Sequence, residues 1–194
     1  MIGDFALRVL AREMGDRRPD LSVDLQVGPF RLVGNLANIH RQGGLFYRYA
    51  DLKGRDFLQA WLQHLIVNRV RSQPTCLICK DADFRFEPEY CQPETLLDLL
   101  ELYDQGQKRP SPLIIEPALA YCRQAVKLGS GSRIGKTALD MAQQKLLEII
   151  QYDYDKELKL LCRDMQDPAE LLDAAFEAQC RALLLPAWEA VHGN

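Results

Sequence analysis

Phe57, Leu58, Trp61, Leu62, Leu65 and Ile66 recur at the spacing of one broad helix face, with Gln59, Gln63 and Asn68 off it. A stripe this wide needs a large apolar surface to lie on. Strand-like stretches supply one: "GGLFYRYA" precedes the helix, while "TCLICK" and "FRFEP" follow it, joined by the polar turn Asp81-Ala82-Asp83. The order predicts a helix of roughly four turns laid over a sheet.

Upstream, residues 2–14 carry helical spacing (Ile2, Phe5, Leu7, Val9, Leu10) that Gly15 and Pro19 end. "LSVDLQVGPFRLVGNLANI" alternates about Gly28-Pro29 and reads as a hairpin. Downstream, Pro93 and Glu94 open the helix "PETLLDLLELYDQGQ", closed by Gly106 and Pro110. After residue 111 the character changes. "PSPLIIEP" is short and extended, and the rest is helical except for "GSGSR" at 129–133. The expected fold is α+β: a mixed sheet flanked by helices over residues 1–110, with a helical extension over residues 111–194 packed on it as one structural domain.

With 194 residues, 47% of them hydrophobic and 26% charged, a sizeable core is within reach. No apolar run approaches a membrane span, and the N-terminal segment carries acids through its apolar part. Neither a signal peptide nor a transmembrane segment is expected, and the location is expected to be cytoplasmic. Six cysteines stand mostly among apolar neighbours and are expected reduced, packed as small hydrophobes. Cys76 and Cys79 form a Cys-x-x-Cys, but no second pair or nearby histidine completes a zinc set, and a strand would point them to opposite faces. No metal site and no cofactor is expected.

"GSGSRIGKT" has part of a phosphate loop. Gly135-Lys136-Thr137 would need glycine at position 130, where serine stands, and the preceding "PALAYCRQAVKL" is helical rather than a strand. A helix–helix connection without bound nucleotide is the expectation. The histidines at 40, 64 and 192 are few and apart, and no Gly-x-Ser-x-Gly elbow occurs, so serine or cysteine nucleophile chemistry has no visible constellation. His64 reads as a packed or edge residue.

The stretch "RLVGNLANIHRQGGLFYRYADLK" poses a sharper question. Read as two strands around Gly43-Gly44, it is the type of hairpin on which some nucleases hold a cation, with an acid on one strand and an (Asp/Glu)-x-Lys on the next. Such cleavage needs at least two carboxylates and a lysine near the attacked phosphate. The first strand offers Asn35, Ala37, Asn38 and His40, and the second Phe46, Tyr47, Arg48 and Tyr49. Asp51-Leu52-Lys53 has the right letters but falls past the strand, where Asp51 reads equally as a helix cap and Lys53 as a surface residue. No catalytic residue is expected. The alternative is an active metal-dependent nuclease using Asp51, Lys53 and a further acid such as Glu13 or Asp24.

The hairpin "LQVGPFRLVGNL", the strand "GLFYRY", the helix "LQAWLQHL", the strand "FRFEP", "PLIIEP" and the terminal "RALLLPAW" together resemble the C-terminal domain of RecC, the gamma subunit of exodeoxyribonuclease V, over nearly the whole chain. The resemblance implies a core similar to the PD-(D/E)xK nucleases with the active site lost, Ala37 and Asn38 standing where active relatives hold acids. It also implies RecB-like and RecD-like partner subunits, forked duplex DNA met within the RecBCD complex, and a role in DNA guidance or strand separation and in subunit assembly; the helical region 136–192 is the candidate for packing or partner contact. A scaffold without DNA contact is the other reading that the overall charge of −3 allows.

That charge is unevenly spread. Between Arg31 and Arg71, seven Lys/Arg stand against Asp51 and Asp56, a local +5 that leaves −8 to the rest. Arg41, Arg48, Lys53 and Arg55 are candidates to neutralise phosphates, and Tyr47 and Tyr49 to stack on an unpaired base. The two tyrosines share a strand face opposite Arg48, and the burial tendency of strand aromatics favours packing them against the Trp61 helix instead.

Overall fold

The computed structural model describes residues 2–12, 14–129, 135–152 and 154–192. Glu13, and residues 130–134 of the connection expected around "GSGSR", lie outside the described residues. Two compact units divide the chain, residues 1–105 and 106–193.

The first unit runs α1 (Ile2–Leu10), β1 (Leu21–Val27), β2 (Phe30–Leu36), β3 (Ile39–His40), β4 (Gly43–Arg48), α2 (Gly54–Val70), β5 (Thr75–Cys79), β6 (Asp83–Phe86) and α3 (Pro93–Gly106). Its principal sheet has the order β3-β4-β5-β6. β4 and β5 are parallel, Leu45 beside Cys76 and Tyr47 beside Ile78, and the other pairs are antiparallel. A parallel pair needs a long crossover, and α2 provides it. The fold class is the α+β one expected, a mixed four-stranded sheet flanked by helices.

Strand alternation divides the core between two faces. On one, Leu45, Cys76 and Ile78 pack with Phe5, Met14 and, partly, Val9. On the other, Phe84 and Phe86 meet α2, where the Phe57 ring lies 5.4 Å edge-on to each and Trp61 is 5.5 Å from Phe86. The buried side of α2 is Phe57, Ala60, Trp61, His64 and Leu65. It is rotated from the expected stripe, leaving Leu58, Leu62 and Ile66 half-buried. His64 can enter the core because both ring nitrogens are bonded, Nδ1 with Thr75 Oγ at 3.0 Å and Nε2 with the Glu87 carbonyl at 3.2 Å. Burial lowers its pKa to about 4. Cys76 and Cys79 are buried free thiols on β5, and burial raises both.

The stretch expected as one hairpin is broken in two. Asn38 adopts φ 62°, a left-handed conformation that asparagine tolerates, and the chain leaves one sheet for another there. Before it, β2 pairs only with β1, in a separate two-stranded ribbon from Val27↔Phe30 to Leu21↔Leu36. After it, the two residues of β3 pair with Gly43 and Gly44, so that Arg41-Gln42 makes the turn and both glycines lie in the strand. The hairpin about Gly28-Pro29 does form. Gly28 has φ 55°, and a Cβ there would lie 2.7 Å from Leu97 of α3, which suits a turn with glycine at its first central position.

The second unit comprises α4 (Ile115–Gly129), α5 (Ala138–Gln151), α6 (Lys156–Leu161), α7 (Ala174–Gln179), a π-helical turn (Cys180–Leu184) and α8 (Leu185–His192). "PLIIEP" is thus extended only in part, since α4 already begins at Ile115 and carries Pro117 in its first turn, where proline costs no intrahelical bond. Phe176, Tyr121, Cys122 and Leu146 are fully buried in this unit. The Tyr121 hydroxyl donates to Glu177 at 3.0 Å, and burial together with that bond pushes its pKa up to about 12. Thr137 opens α5: its hydroxyl accepts the Asp140 N–H at 3.1 Å while Asp140 accepts the Thr137 N–H at 2.7 Å. Lys136 beside it donates to Gln144 at 2.6 Å.

Candidate functional site

On the α2 side of β4 lies a cleft of about 440 Å³ lined by Asn38, Leu45, Phe46, Tyr47, Arg48, Asp56, Gln59, Ala60 and Leu77. β4 alternation aims Phe46 and Arg48 at α2. Asp56 stands in the first turn of α2, where its carboxylate accepts the Lys53 N–H at 3.1 Å. The same carboxylate receives Arg48 Nη1 on both oxygens, at 2.8 and 2.7 Å. Asn38 borders the cleft, its carbonyl accepting the Leu45 N–H at 3.0 Å. The cleft therefore holds one carboxylate, and a guanidinium already neutralises it.

The residues proposed from sequence are not brought together. Arg48 is committed to Asp56. Tyr47 and Tyr49 lie on the α1 side of the sheet and are not packed against α2: they are 61% and 46% exposed, and Tyr49 meets the Phe5 ring edge-on at 5.3 Å. The expectation of buried tyrosines fails because α2 occupies the opposite face. Lys53 and Arg55 stand exposed where α2 begins, with no carboxylate partner among the described residues. Arg41 lies in the turn at the other end of β4.

Asp51 is not the helix cap. Lys53 takes that position, with Asp56 closing the first turn. Asp51 is exposed and 3.3 Å from Lys80 Nζ. The chain on either side of Asp51 is tied to the β5–β6 turn, since Asp81 accepts the Leu52 N–H at 2.7 Å and Lys80 N–H donates to the Ala50 carbonyl at 2.9 Å. Asp24 sits in the β1–β2 ribbon against Arg31 at 2.8 Å, and that guanidinium lowers its carboxyl pKa. Among the described residues, no group of three or more His, Cys, Asp or Glu side chains is placed to hold a metal.

Sequence reasoning passed over Asp56 and Gln59. A signal for Asp56 was present, an acid three residues after the helix-opening Lys53, which is where a carboxylate reaches back to the first backbone N–H. Gln59 offered none, because a lone glutamine off an apolar stripe reads as surface.

A mixed four-stranded sheet with a helix on each face, and a cleft beside its parallel pair closed by an arginine–carboxylate bond, defines an α+β domain. The family model of the RecC C-terminal domain matches residues 2–126, and the chain belongs to that family. No curated protein matches it. Membership makes the chain part of RecC, a subunit of exodeoxyribonuclease V, the RecBCD complex of DNA repair and recombination, whose other members are RecB and RecD and which acts on DNA. The match ends within α4, so "RALLLPAW" lies beyond it. No helix among the described residues is long and apolar enough to cross a membrane.

Proposed function

We propose that this domain is a nuclease-like fold without its own cleavage activity, serving RecC in guiding and separating DNA strands and in subunit assembly. The observation that carries the reading is the Arg48–Asp56 pair. A divalent cation needs several oxygen ligands, and the cleft supplies one carboxylate whose charge is already balanced at 2.7 Å. Asn38 and Phe46, which line the same cleft, add no carboxylate.

DNA contact falls to groups that are free to make it. Lys53 and Arg55 present cations where α2 begins, and exposed Tyr47 offers a ring face to an unpaired base. Assembly falls to the helical region, where Tyr152, Tyr154, Leu160 and Leu161 are all more than half exposed and the two tyrosine rings stack at 5.8 Å. Exposed apolar side chains gathered in so short a segment fit a protein contact.

The test is a cleavage assay with the full chain, linear duplex and forked DNA, in Mg²⁺ and then Mn²⁺. The expected result is no cleavage by wild type or by Lys53→Ala, with salt-sensitive binding to the fork that weakens in a Lys53→Ala, Arg55→Ala variant. Cleavage abolished by Asp51→Ala or Lys53→Ala would restore the active-nuclease reading. Absence of DNA binding at low salt would leave a scaffold.

A further inference from the structure

The basic stretch between Arg31 and Arg71 does not form one surface. Lys53 and Arg55 stand at the start of α2 and Arg69 and Arg71 at its end, so its 17 residues separate the two groups by about 25 Å at the helical rise. The far end of α2 is where β4 and β5 begin, and a third segment joins them there. Gly44 N–H donates to the Pro74 carbonyl at 3.0 Å, and a Cβ on Gly43 would press on that carbonyl and lie 2.7 Å from Met14 Cε. Residues 14–18 then run along the open edge of β3: Gln42 N–H bonds to the Met14 carbonyl at 3.0 Å, Arg41 N–H to Asp16 at 3.0 Å, and Arg18 N–H to Ile39 at 2.8 Å. Arg17 pairs with His40 as an antiparallel bridge.

Arg17, Arg18 and Arg41 flank the β3 edge and Arg69 and Arg71 close α2, each within five residues along the chain of Met14, Gly43 or Pro74, which meet, and all are exposed. The acids of the same edge are Asp16 and Asp20, of which Asp20 approaches Arg17 at 3.9 Å. Among the described residues, Arg18, Arg41, Arg69 and Arg71 have no carboxylate partner. The cations are all arginine, whose planar fork matches phosphate oxygens and is weakly hydrated.

We infer that this arginine edge is a second DNA-backbone site, gripping the phosphates of duplex DNA while Lys53 and Arg55 meet the same molecule farther along. It rests on the DNA reading above and adds where the duplex lies. A span of about 25 Å corresponds to about seven base pairs at the spacing of phosphates along B-form DNA. Duplex phosphate is favoured over an acidic protein surface because a periodic row of phosphates fits two cation groups held apart by one rigid helix.

The experiment measures affinity of the full chain for labelled duplex DNA by fluorescence anisotropy across a salt series. One variant combines Arg18→Gln, Arg41→Gln, Arg69→Gln and Arg71→Gln; the other combines Lys53→Gln and Arg55→Gln. The arginine variant is expected to bind at least about tenfold more weakly at low salt, its slope of log affinity against log salt reduced by about 3.6. Wild-type affinity and slope in that variant, with the lysine-group variant impaired, would overturn the inference while leaving the DNA reading intact. So would unchanged DNA binding with lost assembly into the complex, which would assign the edge to an acidic partner. Wild-type chain that binds no duplex overturns both. Should the fourfold variant not fold, the single substitutions are read separately, each expected to lower the slope by about one.

Discussion

Arg48 donates to both carboxylate oxygens of Asp56, at 2.8 and 2.7 Å, while that carboxylate also accepts the Lys53 N–H that opens α2. One side chain thus ties β4 to the crossover helix, caps the helix and neutralises the cleft. Asp56→Ala removes all three effects and leaves the guanidinium without its partner. The expected destabilisation is about 2–3 kcal/mol, allowing for partial solvent screening of Arg48. Urea unfolding of Asp56→Ala, Arg48→Met and the double variant checks this, with a double-variant cost below the sum of the singles as the sign of coupling.

His64 makes stability acid-sensitive. Its pKa is about 4 in the fold against an ordinary 6.5 when unfolded, because burial disfavours the charged ring. The unfolded chain therefore binds the proton more readily. The stabilisation is complete above pH 6.5 and is lost as pH falls towards 4, amounting to about 3 kcal/mol over that window. Unfolding free energies at pH 7.5 and 4.5 measure it, and His64→Gln is expected to flatten the difference while lowering stability at pH 7.5.

Gly43 is required by its neighbours. Its φ is 149°, and a Cβ would press on the Pro74 carbonyl oxygen, a backbone atom that cannot step aside. Gly43→Ala is expected to cost about 3 kcal/mol or more. A Cβ on Gly34 in the β1–β2 ribbon meets open space, and Gly34→Ala is expected to be neutral or stabilising by about 0.5 kcal/mol. Thermal melts of the two variants make the comparison.

The exposed tyrosines separate binding from stability. Tyr49→Ala loses the edge contact with Phe5 at 5.3 Å and is expected to cost about 0.5–1.5 kcal/mol. Tyr47, at 61% exposure, is expected to tolerate alanine within about 0.5 kcal/mol. Loss of forked-DNA affinity in Tyr47→Ala at unchanged melting temperature would then report a stacking contact and nothing else.

Most elements were legible in the sequence because each advertises itself locally. The Trp61 helix has its stripe, β5 and β6 their apolar runs on either side of the polar turn at Asp81-Ala82, the β1–β2 turn its Gly-Pro, and α3 its Pro-Glu start. Thr137, inside a phosphate-loop-like string, caps α5. The site was much less legible. Leu58, Leu62 and Ile66 seemed equal members of the α2 stripe, yet Ala60 and His64 are buried in preference, His64 because Phe86 and Thr75 meet it from the sheet.

Residue types and their spacing determined by themselves the α+β order, the kinship with RecC and the shortage of carboxylates around residues 31–53, since these depend only on which side chains follow one another. Tertiary structure alone decided that the expected hairpin breaks at Asn38, that Tyr47 and Tyr49 face away from α2, that Arg48 is bound to Asp56, and that Arg17 and Arg18 run along the β3 edge beside the turn holding Arg41. The reason is physical. Local periodicity says which face of an element is apolar, but which partner each polar group meets depends on strand order and register, and these arise from pairings between segments far apart along the chain.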